Sequence, residues 1–309
     1  MRMILARING GLGNRLFQYA TALAISLKLN RKLLLDIAWY RNIRSLDDQS
    51  DPNATTIRDF LLNNFNIQSR VINKIHLNWI KRLEFRSKNS KFYKLLLDGP
   101  LNNFSYTTIN QNNYSLESIQ KHPHVYLTGY WQNNDIIEEY KNLISNELIL
   151  KYPLSENNQD HLKSINAKNS VAIHVRRGDY ISKSKSREVH ASCSNNYYDD
   201  SIECIQKKMN ELHYFIFSDD MTWIKNNLTI NTNITFIDNE GPPYEHLYLM
   251  SQCKHQITAN STFSWWAAWL NNNPDKIIIT PEYWYNDKHL NDTVIRIPNE
   301  WIRINNITL

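Results

Sequence analysis

Met3-Ile4-Leu5-Ala6-Arg7-Ile8-Asn9-Gly10-Gly11-Leu12-Gly13-Asn14 opens with an apolar run, passes through a glycine turn and enters a helical pattern. Met3 to Ile8 has the length and apolar content of a strand, and beyond Asn14 the residues Leu16, Ala20, Leu23 and Leu27 recur on one helical face as far as Leu29. A second strand-like run, Lys32 to Ile37, follows at once. Strand, helix and strand in succession predict a βαβ unit, whose strands must run parallel because a helix rather than a tight turn joins them.

The same logic extends outward. Val125 to Tyr130 reads as a further strand of this unit and Asp135 to Leu150 as an amphipathic helix, while residues 47–113 mix helical and polar patches and read as an irregular excursion or small helical insert. The polar stretch Ser155 to Asn169 reads as a boundary. Beyond it strands and helices alternate: Val171–Val175, Tyr197–Met209, Tyr214–Phe217, Asn233–Ile237, Tyr244–Cys253, His255–Thr258, Ser261–Leu270 and Lys276–Thr280. Alternation of this kind predicts a doubly wound α/β domain with ligands at the carboxyl ends of its strands. A chain of 309 residues accommodates two such domains, placed at 1–160 and 161–309.

Composition sets outer limits. Hydrophobic residues at 42% and charged residues at 21% belong to a globular protein with a large core. A formal charge of +5 calls for no nucleic acid, and an anionic small ligand suffices to explain clustered arginines. Cys193, Cys204 and Cys253 form no CxxC pair and suit a reducing compartment. No apolar run reaches the ~20 residues of a membrane span. The expectation is a cytoplasmic protein, with peripheral docking at the inner face of a membrane left open. Asn-x-Ser/Thr triplets such as Asn227-Leu228-Thr229 follow from the abundance of Asn.

Four stretches carry chemistry. In Val171-Ala172-Ile173-His174-Val175-Arg176-Arg177-Gly178-Asp179-Tyr180, alternation along a strand puts Ala172, His174 and Arg176 on one face. The planar guanidinium fork suits paired phosphate oxygens and stays charged, although an arginine pair bound to surface carboxylates has the same spacing. The turn Gly10-Gly11-Leu12-Gly13-Asn14 brings backbone N–H groups to a helix start, yet Leu16 breaks a dinucleotide fingerprint and no P-loop lysine follows. In Asn260-Ser261-Thr262-Phe263-Ser264-Trp265-Trp266, short polar residues head a helix directly after a strand, which serves equally as a cap or as a phosphate site. Phe217-Ser218-Asp219-Asp220 closes another strand, its carboxylates suited to a nucleotide hydroxyl or base, a helix cap or a cation. Neither G-x-S-x-G nor H-E-x-x-H occurs.

Taken together, the glycine turn with Phe17-Gln18-Tyr19-Ala20, the His174 to Tyr180 segment, Phe217 to Asp220 and Asn260 to Trp266 resemble, in order, the bacterial α-1,2-fucosyltransferases of glycosyltransferase family 11. The resemblance implies a GT-B architecture, two Rossmann-like domains facing a central cleft, with GDP-fucose held mainly by the C-terminal domain and the acceptor on the N-terminal side. It implies transfer of fucose, with inversion, to the 2-hydroxyl of a terminal galactose in a surface glycan of O-antigen or lipopolysaccharide type. No essential metal and no cofactor beyond the donor GDP-fucose are implied. Carried onto matching positions, Arg176 is the diphosphate ligand, supported by His174 and Arg177. Asn14 approaches the diphosphate side, Ser261, Thr262 and Phe263 line phosphate and fucose, and Asp219 or Asp220 contacts the nucleotide. Arg15 stands where the family usually has Gln, and is expected to point to solvent.

Charge flow gives the expected mechanism. Negative charge grows on the departing diphosphate, and donors fixed there, Arg176 and the helix headed by Ser261, lower the barrier. Asp179 is the candidate base for the galactose hydroxyl, with orientation of Arg177 as its alternative role. Transfer from a GDP-sugar in another linkage or to another acceptor, and nucleotide-sugar binding without turnover, are the competing readings.

Overall fold

The computed structural model describes residues 2–37, 60–72, 107–132, 135–177, 188–228, 230, 233–237, 241–293 and 297–307. The chain divides into two compact units, Met1–Lys151 and Tyr152–Leu309.

In the first unit, strand β1 (Met3–Arg7) leads through helix α1 (Leu12–Lys28) to β2 (Lys32–Asp36). With β3 (Arg70–Ile72), β4 (Thr107–Asn110) and β5 (His124–Thr128) they form a parallel sheet of order β3-β2-β1-β5-β4. The 47–113 region is therefore more than an insert: β3 and β4, both inside it, are the two edges of the sheet. Their shortness and mixed polarity hid them, because an edge strand buries only part of its surface. Helix α2 (Leu116–Gln120), closed by a reciprocal Ser115–Ser118 capping box, carries the chain from β4 to β5. The single helix expected over 135–150 is two, α3 (Ile136–Glu139) and α4 (Lys141–Glu147), because Tyr140 between them leaves helical geometry and each packs separately on α1.

The second unit begins with α5 (Glu156–Asn166), so the polar stretch read as a boundary is mostly helix. What that stretch does is hold Glu245: its Oε2 accepts from Ser155 N at 3.1 Å, Ser155 Oγ at 2.8 Å and Asn158 Nδ2 at 2.6 Å. Three donors are what a buried carboxylate needs. There follow β6 (Asn169–Val175), α6 (Asn195–Gln206), β7 (Leu212–Ser218), α7 (Met221–Asn227), β8 (Ile234–Phe236), α8 (Pro243–Gln252), β9 (His255–Ile257), α9 (Thr262–Leu270), β10 (Ile278–Pro281), α10 (Lys288–Thr293) and β11 (Ile302–Ile304). The sheet is parallel throughout, in the order β11-β10-β9-β6-β7-β8.

Val171, Ile173 and Val175 on one face of β6 join Tyr197, Tyr198, Ile202 and Ile205 of α6 in a buried cluster. Trp265, Trp266 and Trp269 of α9 are also buried, and their rings pack on one another. The indoles therefore fill core. Each unit is thus a Rossmann-like parallel α/β layer, and two in one chain are the components of the GT-B class. No described helix is long and apolar enough to cross a membrane.

Candidate active site

Strand order locates the candidate site. In the second unit the chain runs from β6 outward through β7 and β8, then returns to the other side of β6 with β9, so the order reverses between β6 and β9. Loops leaving two adjacent parallel strands in opposite directions open a crevice at such a point. Register aligns the strand ends: His174 pairs with Phe217 and Val175 with Ser218 across β6 and β7, and Ile173 with Ile257 across β6 and β9. His174 and Arg176 thus leave one wall of the crevice, and Asn260 to Phe263 the other.

The two walls touch. The rings of His174 and Phe263 have centroids 5.7 Å apart. Ser261 heads α9, its Oγ accepting from Phe263 N at 3.3 Å, and Ser264 Oγ donates to Ala259 O at 3.2 Å. Thr262 and Phe263 in the first turn are half-buried. Asn260 ties the preceding loop down by donating to the Ala191 and Trp284 carbonyls. A helix start fixed in this way presents N–H groups and a positive dipole end to the crevice. His174 is buried and its Nδ1 has no hydrogen-bond partner among the described residues. Burial, chiefly, with Arg176 and His246 adding to it and Asp219 opposing, lowers its pKa to about 4, so the imidazole is neutral at physiological pH.

The arginines are organised by the aspartates. Arg176 Nη1 lies 2.9 Å from Asp219 Oδ2, and Asp219 Oδ1 accepts from Arg177 N at 2.9 Å. Arg177 Nε stands 3.6 Å from Asp220 Oδ2, an ion pair too long to be a hydrogen bond, and its guanidinium carbon lies 3.8 Å from the Trp223 ring centroid. Asp220 also caps α7, accepting from Trp223 N at 3.0 Å. Both carboxylates are therefore engaged with the arginine turn and the helix head. Trp223 escaped the sequence reading because it belongs to no motif; only the cap at Asp220, three residues earlier, hinted at its place. Asp179 lies outside the described residues.

In the first unit the order reverses between β1 and β5. Asn14, at the start of α1, accepts through Oδ1 from Gln132 Nε2 at 2.7 Å, and Gln18 bridges Asn9 and the Gly129 carbonyl. Gly10, at φ +82°, takes a conformation that side chains resist. Arg15 corrects an expectation: it is 1% exposed rather than solvent-facing, and its Nε donates to Gly10 O at 2.7 Å. The glycine turn leaves that carbonyl inside the fold, and the guanidinium satisfies it. The second-unit residues His174, Arg176, Arg177, Asp219, Asp220, Ser261, Thr262 and Phe263 thus gather at the carboxyl ends of the neighbouring strands β9, β6 and β7 and the turns that follow them, and Asn14 sits beyond the carboxyl end of β1 in the first unit.

The sequence profile described as Glycosyl transferase family 11 matches residues 3–305. The chain belongs to glycosyltransferase family 11. Over 309 residues it is 32% identical to an alpha-1,2-colitosyltransferase of Escherichia coli, spanning 98% of this chain and 99% of that one. It is 32% identical over 302 residues to the O-antigen biosynthesis glycosyltransferase WbnK of Escherichia coli, spanning 90% and 93%. To galactoside alpha-(1,2)-fucosyltransferase 2 of Sus scrofa it is 26% identical over 155 residues, 48% of this chain and 46% of that one. The second-unit crevice is accordingly the candidate active site of a family 11 glycosyltransferase, with a cation, a helix start and a neutral imidazole along its rim.

Proposed function

We propose that this glycosyltransferase moves L-fucose from GDP-fucose to the 2-hydroxyl of a terminal galactose, forming an α-linkage with inversion, in assembly of a surface glycan of O-antigen type. One observation carries the donor half: His174 and Phe263 meet at 5.7 Å, which brings Arg176, two residues beyond His174, and the α9 start to one crevice. A diphosphate is the group that a guanidinium and a helix N-terminus together fit.

In this reading the C1–O bond of fucose breaks as the galactose hydroxyl oxygen forms the new bond on the opposite face, and GDP leaves with the bonding electrons. Arg176 and the α9 N–H groups stabilise the charge gained by the diphosphate, an interaction stronger in the transition state than before it. Asp219 positions Arg176. Arg177, stacked on Trp223, and His174 line the nucleotide side. Asp179, chosen on sequence position, takes the hydroxyl proton. The reading uses no metal and no cofactor. It sets the second unit as donor domain and the first as acceptor side, acting in the cytoplasm.

The full-length likeness to a colitosyltransferase supports a second reading, in which the donor is GDP-colitose, the 3-deoxy counterpart of GDP-fucose. A site that hydrogen-bonds a hydroxyl strongly rejects the analogue lacking it, so the two are separable. The test supplies GDP-fucose, GDP-colitose and GDP-mannose in turn with methyl galactosides and reads product linkage and anomeric form by NMR. An α-1,2-linked fucosyl product supports the first reading. Selective use of GDP-colitose supports the second, and consumption of no GDP-sugar overturns both.

A further inference from the structure

We propose that Tyr130 is a stacking platform for the terminal pyranose of the acceptor, and that Gln111 is the positioning residue that holds it out; this rests on the first unit being the acceptor side. Tyr130 follows β5 at the first unit's switch point, where a ligand crevice is expected. It is 41% exposed, whereas its neighbour Trp131 is 4% exposed, edge-on to Tyr114 with ring centroids 5.3 Å apart. The backbone around it is unusual. Gly129 has φ +114° and Trp131 φ +61°, a conformation a bulky side chain adopts only when its surroundings impose it.

Gln111 imposes it. Its Oε1 accepts from both Tyr130 N and Trp131 N at 2.6 Å, and a Cβ on Gly129 would come within 2.9 Å of that same oxygen. The turn is thus built around one amide oxygen, with Trp131 driven inward as anchor and Tyr130 outward. The Tyr130 ring leans over Gly10, where Cε1 would lie 3.4 Å from an added Cβ, and so borders the turn that carries Asn14. Asn14 in turn binds Gln132, the residue after the anchor. A partly exposed aromatic ring on a turn held by two hydrogen bonds to Gln111, beside amide groups, is what a pyranose needs: the ring covers its C–H face while amides address its hydroxyls.

The test has a binding arm and a turnover arm. Methyl α- and β-galactopyranoside are titrated by ligand-observed NMR into wild type, Y130A, Y130F, Q111A and Q111E, and transfer is measured in parallel. Expected are about tenfold weaker galactoside binding and a matching rise in acceptor KM for Y130A and Q111A, with donor KM and acceptor-free donor hydrolysis unchanged. Y130F keeps the ring, and Q111E keeps the accepting oxygen, so both stay near wild type. Galactoside binding by Y130A equal to that of wild type, or by neither protein, overturns the proposal. Loss of binding in Y130A with no GDP-sugar consumed by wild type leaves Tyr130 as a galactoside contact and overturns the transferase reading instead.

Discussion

Asp219 holds Arg176 and the main chain of Arg177 at once, with 2.9 Å from Oδ2 to Arg176 Nη1 and 2.9 Å from Oδ1 to Arg177 N. Because the Arg176 side chain is 36% exposed, the ion pair itself adds little to stability, about 1 kcal/mol or less. Its consequence is geometric: the guanidinium is aimed before any ligand arrives. Arg176→Ala is expected to lower kcat by roughly 100- to 1,000-fold, as for loss of one preorganised donor, while the unfolding midpoint barely moves. Asp219→Ala leaves the cation but removes this anchor, with an expected loss of about tenfold. Asp219→Asn keeps an oxygen for Arg177 N–H and is the milder change. Transfer kinetics and calorimetric GDP binding check the series, and wild-type kinetics in Asp219→Ala would remove the positioning role.

His174 makes a prediction with a sign. Burial lowers its pKa from 6.5 to about 4, so between those values the unfolded chain binds a proton that the folded chain refuses. Its contribution to stability is complete above pH 6.5 and declines as pH falls toward 4, by up to about 1.4 kcal/mol per pH unit and on the order of 3 kcal/mol in all. His174→Gln cannot titrate, and its midpoint should fall less steeply with acid over that window. Thermal unfolding from pH 7 to pH 4 decides it. Parallel curves for the two proteins would mean that the imidazole titrates normally.

Much of this architecture was legible where periodicity is strong. β6, β7, α6, α8 and α9 lie within a few residues of their expected bounds, since their burial is continuous enough to leave a pattern. β3 and β4 were not, and neither was the break at Tyr140: edge strands carry weak patterns, and the break reflects packing on α1 rather than any local breaker residue. The same division runs through the site. His174, Arg176, Ser261 and Phe263 stand at strand and helix ends that sequence can place. Trp223, Gln111, Tyr130 and Gln132 reach their partners through tertiary folding, and no spacing announces them.

Trp223 follows from that gap. Its ring lies 3.8 Å from the Arg177 guanidinium carbon, while Asp220 addresses the same guanidinium from the side and caps the helix that carries Trp223. Removing the ring frees Arg177 to swing without changing the charge count. Trp223→Ala is expected to weaken GDP binding about three- to tenfold, in keeping with the ~0.5–2 kcal/mol of a cation–π contact. Trp223→Phe should recover most of it. Calorimetric titration with GDP distinguishes this from a purely structural role, for which Phe and Ala would fall with stability rather than with ring character.

Arg15 tests the reading of a charge as an interior group. With 1% exposure and Nε 2.7 Å from Gly10 O, it satisfies a carbonyl that a positive-φ glycine has left inside the first unit. Arg15→Ala strands that oxygen and opens a cavity, at an expected cost of about 2 to 4 kcal/mol. In a unit of this size that corresponds to a fall of roughly 5 to 10 °C in its unfolding midpoint. Arg15→Gln retains a donor, though a shorter one, and should lose about half as much. Differential scanning calorimetry of the three proteins gives the ranking. An Arg15→Ala protein that unfolds at the wild-type temperature would return this side chain to solvent and leave the Gly10 carbonyl to find its partner elsewhere.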